Sequence, residues 1–258
     1  MTNNAPEVEI ETRGHVAVVT FSNPPFNYFN AQLLESIASA LQNIDDQPET
    51  RVVLLRSTGK VFCAGADFSD QEGQGNALFD PADIYRAGLK LFQTRKPIVA
   101  EIQGATVGGG LGLAMVADFR IAAETAKFTG NFTKIGIHAG FGLTHTLPRI
   151  IGHQATALLL YTGRRISGKE AQVMGLVDEV VPLEQLHQTA FKLAEEIAAA
   201  APLAVEATRQ TLRAGLANAI AQQILHETTE QIRLFKTDDY KEGVEAVKAR
   251  REGRWTRN

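Results

Sequence analysis

A triple glycine lies between a predicted apolar strand and a predicted apolar helix, and this junction constrains the fold more than any other feature. The strand covers residues 97–103, the helix covers residues 111–117, and Gly108, Gly109 and Gly110 lie between them. Glycine adopts backbone conformations closed to other residues and lets a ligand approach the chain closely. Free N–H groups at a helix start attract negative charge. The junction therefore predicts either a tight turn or an anion site made of backbone amides.

A second segment of small residues follows the strand predicted over residues 51–57. It comprises Cys63, Ala64, Gly65, Ala66 and Asp67, and it comes after a turn at residues 58–60. Small side chains leave backbone amides open to a neighbouring group. Two strand ends thus carry loops with accessible N–H groups.

Together these two segments resemble those of the crotonase superfamily, also called the enoyl-CoA hydratase/isomerase family. The resemblance extends over nearly the whole chain and includes the turn at residues 23–25 with Asn30, Asp118, Gly163, residues 167–182 and a basic tail ending near Trp255. It implies an α/β fold, a spiral of strand-strand-helix turns followed by a C-terminal helical region. We expect residues 1–198 to form this core with the acyl-CoA site, and residues 199–258 to serve oligomerisation and to cover the coenzyme.

The resemblance implies a site for an acyl thioester of coenzyme A, which is part of the substrate, with no prosthetic group. The N–H groups of Ala66 and Gly109 would form an oxyanion hole, and each such donor contributes roughly 2.7–4 kcal/mol in the transition state. Other expected substrate or coenzyme contacts are Ala64, Gly65, Asp67, Phe68, Gly108, Gly110, Gly112, Phe132, Phe235, Lys248 and Arg251. The cations of the tail suit phosphate, although a solvated helix end carries cations equally well.

The chain departs from the hydratases it resembles at both of their catalytic glutamates. Spacing puts Gly112 and Phe132 at these two positions, and residues 104–117 and 128–143 contain no Asp or Glu. A shift of register therefore restores neither carboxylate. Because a positioned acid or base contributes about 10²- to 10⁴-fold, we expect a variant reaction: isomerisation, decarboxylation, carbon-carbon cleavage, or hydration with replaced groups.

His138 is a candidate replacement acid or base, because a neutral imidazole moves protons near neutral pH. A structural role for a lone histidine beside glycines remains open, as does a helix cap at Asp80. Other candidates for proton transfer or substrate binding are His145, Asp83, Tyr85, Asn131, Thr133 and Lys134. Two alternative functions also remain: a non-catalytic acyl-CoA-binding protein, and a diketone-type carbon-carbon bond hydrolase.

Motifs of other enzyme classes are missing from the sequence. Leu113 stands where a dinucleotide fingerprint starting at Gly108 needs its third glycine, and no phosphate-binding loop ending in Gly-Lys-Ser/Thr occurs. The six histidines include no pair at four-residue spacing, there is no Gly-x-Ser-x-Gly elbow, and Cys63 is the only cysteine. We therefore predict no metal site and no serine triad.

Composition fits a metabolic enzyme with a substantial core. The chain has 258 residues, 44% of them hydrophobic and 21% charged, and a net charge of −3 that offers no basic field for nucleic acid. Neither a secretory pattern nor a membrane-spanning apolar run is evident. We expect a cytoplasmic protein with no nucleic-acid or membrane partner. The resemblance implies self-association as a homotrimer or a dimer of trimers.

Overall fold

The computed structural model of the chain describes residues 7–66 and 81–258. In these residues the strands form two sheets, ordered β1-β2-β3-β5-β7-β10 and β4-β6-β8-β9. The strands are β1 (Glu7–Arg13), β2 (Val16–Ser22), β3 (Val52–Ser57), β4 (Val61–Cys63), β5 (Ile98–Ile102), β6 (Ala105–Val107), β7 (Phe119–Ala123), β8 (Lys127–Thr129), β9 (Arg165–Ser167) and β10 (Glu179–Val181). The helices are α1 (Ala31–Asp45), α2 (Pro81–Leu91), α3 (Gly109–Ala114), α4 (Leu143–Thr162), α5 (Gly168–Val173), α6 (Leu183–Ala198), α7 (Pro202–Leu212), α8 (Leu216–Leu234) and α9 (Asp238–Lys248).

The spiral arises because parallel strands of the first sheet continue into parallel strands of the second. Strands β2, β3, β5 and β7 pair in parallel, and β3, β5 and β7 lead into β4, β6 and β8. Strands β4, β6 and β8 are parallel as well. This confirms the predicted α/β spiral and brings the loops after β4 and β6 to one edge of the second sheet.

Local sequence patterns predict several elements: alternation over residues 8–12 and 15–21 predicts a hairpin, apolar spacing over residues 33–44 predicts a helix, and residues 167–170 carry a capping-box signature. The hairpin of β1 and β2 turns at Gly14, whose φ of 59° suits glycine. Helix α1 buries its apolar face, and the Asn30 side chain caps its N-terminus by accepting from the Leu33 amide. The capping box of Ser167 and Glu170 opens α5, which confirms that motif.

Two apolar cores lie on the two faces of the first sheet. One contains residues of α1, α3 and α4, and the other packs Leu186, Ala190 and Ala194 of α6 against inward residues such as Val18 and Leu54. Helix α6 therefore covers one face of the sheet completely enough to exclude water from these side chains.

Asp118, just before β7, joins the sheet to α7 and the residue after it. Its carboxylate accepts from the Ile98 amide at 2.8 Å, from Arg209 Nε at 2.8 Å and from an Arg213 nitrogen at 2.6 Å. Burial lowers the pKa of the Arg209 guanidinium, and the nearby Asp118 carboxylate opposes that change. Asp118 thus has a structural role, because it joins the sheet to the C-terminal helices.

Sequence patterns predict C-terminal helices over residues 203–216, 219–235 and 239–251, and all three end earlier in the structure. Helix α9 stops at Lys248 because Arg250 adopts a left-handed φ of 52° and the chain folds back. Helix α8 packs on α2 and α4, and α9 packs on the 3₁₀ helix Asn131–Ile135. Among the described residues, none of the helices combines the length and apolar character needed to cross a membrane.

Candidate active site

The two glycine-containing loops meet at the edge where β4 and β6 end. A Cβ atom built on Gly65 would lie 3.5 Å from the amide nitrogen of Gly109 and 3.0 Å from the carbonyl oxygen of Val107. Gly65 has a φ of 101°, a conformation that side chains disfavour. Close approach and backbone conformation therefore both require glycine at position 65.

Among the described residues, no neighbouring protein group accepts a hydrogen bond from the amides of Ala66 and Gly109. Phe29 forms an isolated parallel bridge with Ala66, and the Phe29 N–H donates to the Gly65 carbonyl at 2.9 Å. Gly109 is the first residue of α3, where amides have no acceptor within the helix. Within residues 7–66 and 81–258, neither amide nitrogen has a hydrogen-bond acceptor. Their role as donors to a ligand oxygen stays a prediction.

The triple glycine fits only without side chains. A Cβ atom on Gly109 would lie 2.5 Å from Phe29 Cζ, and one on Gly110 would lie 2.2 Å from the Cys63 carbonyl oxygen. The Gly108 amide donates to the Thr129 carbonyl at 2.9 Å, and this bond holds the loop against β8. The close packing fixes the start of α3 beside the loop after β4.

The 3₁₀ helix places one polar and one aromatic side chain beside Gly108. A Cβ atom on Gly108 would lie 3.2 Å from Asn131 Oδ1 and 3.9 Å from Phe132 Cζ. Phe132 is buried. An apolar ring therefore borders the triple glycine. The equivalence of position 132 to a glutamate of the hydratases stays a prediction.

Phe141 occupies the space that a side chain at position 112 would need. A Cβ atom on Gly112 would lie 2.6 Å from Phe141 Cβ and 2.7 Å from both Cγ and Cδ1. The Phe141 ring is buried, and its centroid lies 5.4 Å from the centroid of the Phe29 ring. The backbone of Phe141 has a positive φ of 61°. Packing as well as sequence thus excludes a carboxylate at position 112.

His138 makes its contacts with its own loop and with α8. Its Nδ1 lies 2.6 Å from the Ala139 carbonyl oxygen, and its ring meets His226 edge-on with centroids 5.9 Å apart. No hydrogen bond or ring contact within the described residues joins His138 to Ala66 or Gly109. A proton-transfer role for His138 therefore stays a prediction.

A buried hydrogen-bond chain holds the His138 loop. Tyr85 Oη donates to Gln231 Oε1 at 2.7 Å, and Gln231 Nε2 donates to the His138 carbonyl at 2.8 Å. Burial raises the pKa of Tyr85, with the nearby Glu227 charge as a second cause, so the hydroxyl stays protonated and donates. A Cβ atom on Gly140 would lie 1.9 Å from Tyr85 Oη, which explains glycine at that position.

Glu227 is a buried carboxylate beside this loop that sequence reasoning missed. It accepts from the Gly142 amide at 2.8 Å, from the Thr144 amide at 3.1 Å and from Thr144 Oγ1 at 2.6 Å, which caps α4. Burial raises the pKa of Glu227, and these three donors oppose that rise. Its position on the face shared by Ile220 and Ile224 could have revealed its burial, since it continues their helical spacing.

The other polar candidates are dispersed. Burial lowers the pKa of His145, and its Nε2 has no hydrogen-bond partner in the described part of the chain. Asp83 pairs with exposed Arg86, and Thr133 donates to the Leu160 carbonyl. Cys63 is buried, and this raises its pKa to about 12, so its thiol is inert.

The described residues among the expected coenzyme contacts lie beside the triple glycine, at the end of α8 and at the end of α9. Ala64 lies beside the site, where its amide donates to the Phe26 carbonyl at 3.1 Å. Phe235 packs edge-on against Tyr240, and Lys248 ends α9. Asp67, Phe68 and Asp80 lie outside the described residues. These assignments stay predictions.

Arg251 makes an intramolecular ion pair. One guanidinium nitrogen lies 2.9 Å from a Glu242 carboxylate oxygen, and the Arg254 amide donates to the same carboxylate at 2.7 Å. The hydrogen bonds from the Arg251 side chain and from the Arg254 amide lower the pKa of Glu242 to about 2. A phosphate that binds Arg251 must therefore share it with Glu242.

No group of three or more His, Cys, Asp or Glu side chains is arranged to hold a metal ion in the described parts of the chain. Among the described residues, the loops after β4 and β6 present backbone amides beside the rings of Phe29 and Phe132 and the side-chain amide of Asn131. Backbone N–H donors of this kind can stabilise an oxyanion.

The fold and the paired loops define a protein of the crotonase type. A solved enoyl-CoA hydratase structure from Bacillus halodurans matches with a TM-score of 0.84 and 28% identity, covering 93% of this chain and 99% of that one. The family model described as Enoyl-CoA hydratase/isomerase matches residues 11–258. The chain belongs to the enoyl-CoA hydratase/isomerase family of enzymes.

Curated relatives have similar lengths and carry related names. A probable enoyl-CoA hydratase of Mycobacterium leprae is 33% identical over 242 residues, covering 93% of this chain and 94% of that protein. The (E)-benzylidenesuccinyl-CoA hydratase of Thauera aromatica is 35% identical over 249 residues, covering 95% and 96% respectively. The similarity therefore includes both the α/β core and the C-terminal helices.

Proposed function

We propose that this enzyme acts on an acyl-CoA thioester and stabilises its enolate with the amides of Ala66 and Gly109, in a reaction that does not use two glutamates. One observation carries the proposal: these adjacent amides lack protein acceptors within the described residues, while Phe141 fills the space over Gly112. This arrangement supports an oxyanion site at the two amides, and the Phe141 side chain occupies the space that a carboxylate side chain at position 112 would need.

The chemistry follows from where charge develops. When a bond at the α-carbon breaks and leaves its electron pair behind, negative charge moves to the thioester oxygen. Two fixed N–H donors lower the energy of that state, and loss of one such donor typically costs about 10²- to 10³-fold in rate. The start of α3 adds its positive dipole at Gly109.

Decarboxylation illustrates a step that needs no carboxylate base. In a thioester with a carboxylate on its α-carbon, the bond to CO₂ breaks, its electrons form the enolate, and the α-carbon then takes a proton from water or from an acid such as His138. Isomerisation and carbon-carbon cleavage remain open. Hydration requires replacement groups that move protons to and from water.

By this proposal the acyl chain beyond the α-carbon is apolar, because the rings of Phe29 and Phe132 border the triple glycine. The relatives support a thioester substrate through their names, which refer to enoyl-CoA and to (E)-benzylidenesuccinyl-CoA. An apolar pocket with few polar groups is typical of small-molecule sites.

The first experiment identifies the reaction. The protein is incubated in deuterium oxide with acyl-, enoyl-, β-ketoacyl- and α-carboxyacyl-CoA esters, and all masses are followed. We expect deuterium at the α-carbon or loss of a fragment. Water addition would instead show that replacement groups support hydration. Coenzyme binding with no change in any ester would favour a non-catalytic acyl-CoA-binding protein, and turnover of a diketone without coenzyme A would favour the hydrolase alternative.

A matched pair of variants then tests the oxyanion hole. Gly109→Ala places a Cβ atom 2.5 Å from Phe29 Cζ and must displace the amide, so we expect about a 10²-fold loss of kcat. Phe29→Leu removes that ring atom, and Gly109→Ala/Phe29→Leu should recover most of the loss. Equal activity of Gly109→Ala and the native protein would exclude the Gly109 amide from catalysis.

His138→Gln tests the tentative acid or base in the same assay. Loss of deuterium exchange with unchanged thioester binding is expected if His138 moves a proton. The control is His226→Gln, whose ring contacts His138.

We also propose the trimer-based assembly, either a homotrimer or a dimer of trimers. Exposed leucines on α7 and α8 support it, because Leu203, Leu212 and Leu225 are 78%, 74% and 71% exposed in one chain. Sedimentation equilibrium measures the assembly directly, and a monomer would contradict the proposal. A cytoplasmic location stays a prediction.

A further inference from the structure

A cationic cleft lies at the other end of the second sheet from the candidate active site. It has a volume of about 760 Å³, which is within the range of small-molecule sites, and it lies where β3 and β5 turn into β4 and β6. Its lining includes Arg56, Lys60, Glu101, Lys127 and His187. Strands β4 and β6 run from this corner to the glycine loops, a separation of roughly 10 Å at ~3.3 Å per residue.

A buried carboxylate organises one wall of this corner cleft. Glu101 on β5 is 5% exposed, and its carboxylate lies 2.8 Å from His187 Nδ1 and 3.6 Å from a terminal nitrogen of Arg56. At this short distance the Nδ1–H group of His187 donates a hydrogen bond to the Glu101 carboxylate. His187 Nε2 has no hydrogen-bond partner within the described residues. Arg56 thus compensates the negative charge of Glu101 within this wall of the cleft.

The lysines leave the corner cleft with excess positive charge. Three cations, Arg56, Lys60 and Lys127, oppose the single carboxylate of Glu101 among the lining residues. Two carboxylates outside the lining also act on these cations, and both are already engaged. Glu11 pairs with Arg13, and Glu170 accepts from Ser167. A concave surface of one net sign concentrates ions of the opposite sign.

We propose that the corner cleft binds a phosphate group, separately from the acyl-CoA site. Lys60, in the turn after β3, and Lys127, at the start of β8, line the cleft together with Arg56. A phosphate offers three or four oxygens to such cations, whereas a carboxylate offers only two. Arginine and lysine donate strongly to phosphate. The same three charges disfavour a metal ion.

Titration calorimetry with inorganic phosphate in a phosphate-free buffer tests the proposal. We expect one phosphate per protomer and at least tenfold weaker binding by Lys60→Gln/Lys127→Gln. The matched control is Lys169→Gln, an exposed lysine near the cleft that pairs with Glu124 and does not line the cleft. Unfolding midpoints of all variants should equal that of the native protein, because the three lysines are exposed.

Two further titrations define the ligand and its independence. Adenosine monophosphate that binds with the same dependence on Lys60 and Lys127 would indicate a phosphate ester as the ligand, and binding of inorganic phosphate alone would indicate the free anion. The titration is repeated with saturating coenzyme A, and phosphate binding should persist. Three results would overturn the proposal: competition between coenzyme A and phosphate, no phosphate binding by the native protein, or a loss of phosphate affinity in Lys169→Gln equal to that in Lys60→Gln/Lys127→Gln.

Discussion

Gly112→Ala tests whether Phe141 excludes side chains from the space over Gly112. The new Cβ atom would lie 2.6 Å from Phe141 Cβ and 2.7 Å from two ring atoms. Overpacking of a core costs about 1–3 kcal/mol, while alanine in place of glycine favours a helix by about 1 kcal/mol. The difference is a net loss of about 0–2 kcal/mol in the free energy of unfolding. We expect the upper half of this range, about 1–2 kcal/mol, because Phe141 Cβ cannot move without its backbone.

Two second-site variants separate the ring of Phe141 from its Cβ atom. Phe141→Ala removes the two ring contacts but leaves the 2.6 Å contact, whereas Phe141→Gly removes all three. Each single change costs about 3–5 kcal/mol through the lost ring. We expect a coupling energy with Gly112→Ala of about 1–3 kcal/mol for Phe141→Gly and a clearly smaller one for Phe141→Ala. Phe141→Gly also suits the positive φ of this residue.

The assay is urea unfolding of the native protein, the three single variants and the two double variants. All samples have one protomer concentration, since association changes apparent stability. A Gly112→Ala protein as stable as the native one would refute the reasoning. Equal coupling by Phe141→Ala and Phe141→Gly would show that the ring, and not the Cβ atom, sets the restriction.

Three further outcomes are expected. Cys63, with its pKa raised to about 12 by burial, should react with iodoacetamide at pH 8 only as denaturant opens the core, and rapid labelling of the native protein would contradict its placement. Burial raises the pKa of Glu227, so the folded state holds this proton more tightly than the unfolded state. Protonated Glu227 then contributes its full stabilisation below the ordinary pKa of about 4.5, and this contribution is lost as pH rises through the raised pKa. The free energy of unfolding should therefore fall with pH over this interval, and Glu227→Gln should remove that dependence. Asp118→Asn leaves two largely buried guanidinium groups without their carboxylate and should cost about 3–5 kcal/mol in urea unfolding, whereas an unchanged midpoint would exclude a structural role.

Local patterns were sufficient to predict much of the fold. Period-two alternation identified the β1-β2 hairpin, helical periodicity identified the buried face of α1, and a capping box identified the start of α5. These signals depend on residues close together in the sequence. The end of α9 was missed because contacts across the helix-tail turn, such as Glu242 with Arg251, decide where the chain reverses.

The sequence also determined what the site lacks. Residues 104–117 and 128–143 contain no carboxylate, so no folding of these segments can restore the glutamate pair. The glycines at 65 and 108–110 indicated loops with accessible amides. The contact of Gly65 with the Gly109 amide required the parallel pairing of β4 with β6, which is a property of the sheet.

Only the tertiary structure revealed the neighbours that act across long sequence separations. Glu227 caps a helix that begins at Leu143, and Phe141 lies over Gly112. Sequence periodicity shows which face of an element is buried, but it does not show which distant side chain packs there. That choice depends on volume and hydrogen-bond matching among elements brought together by folding.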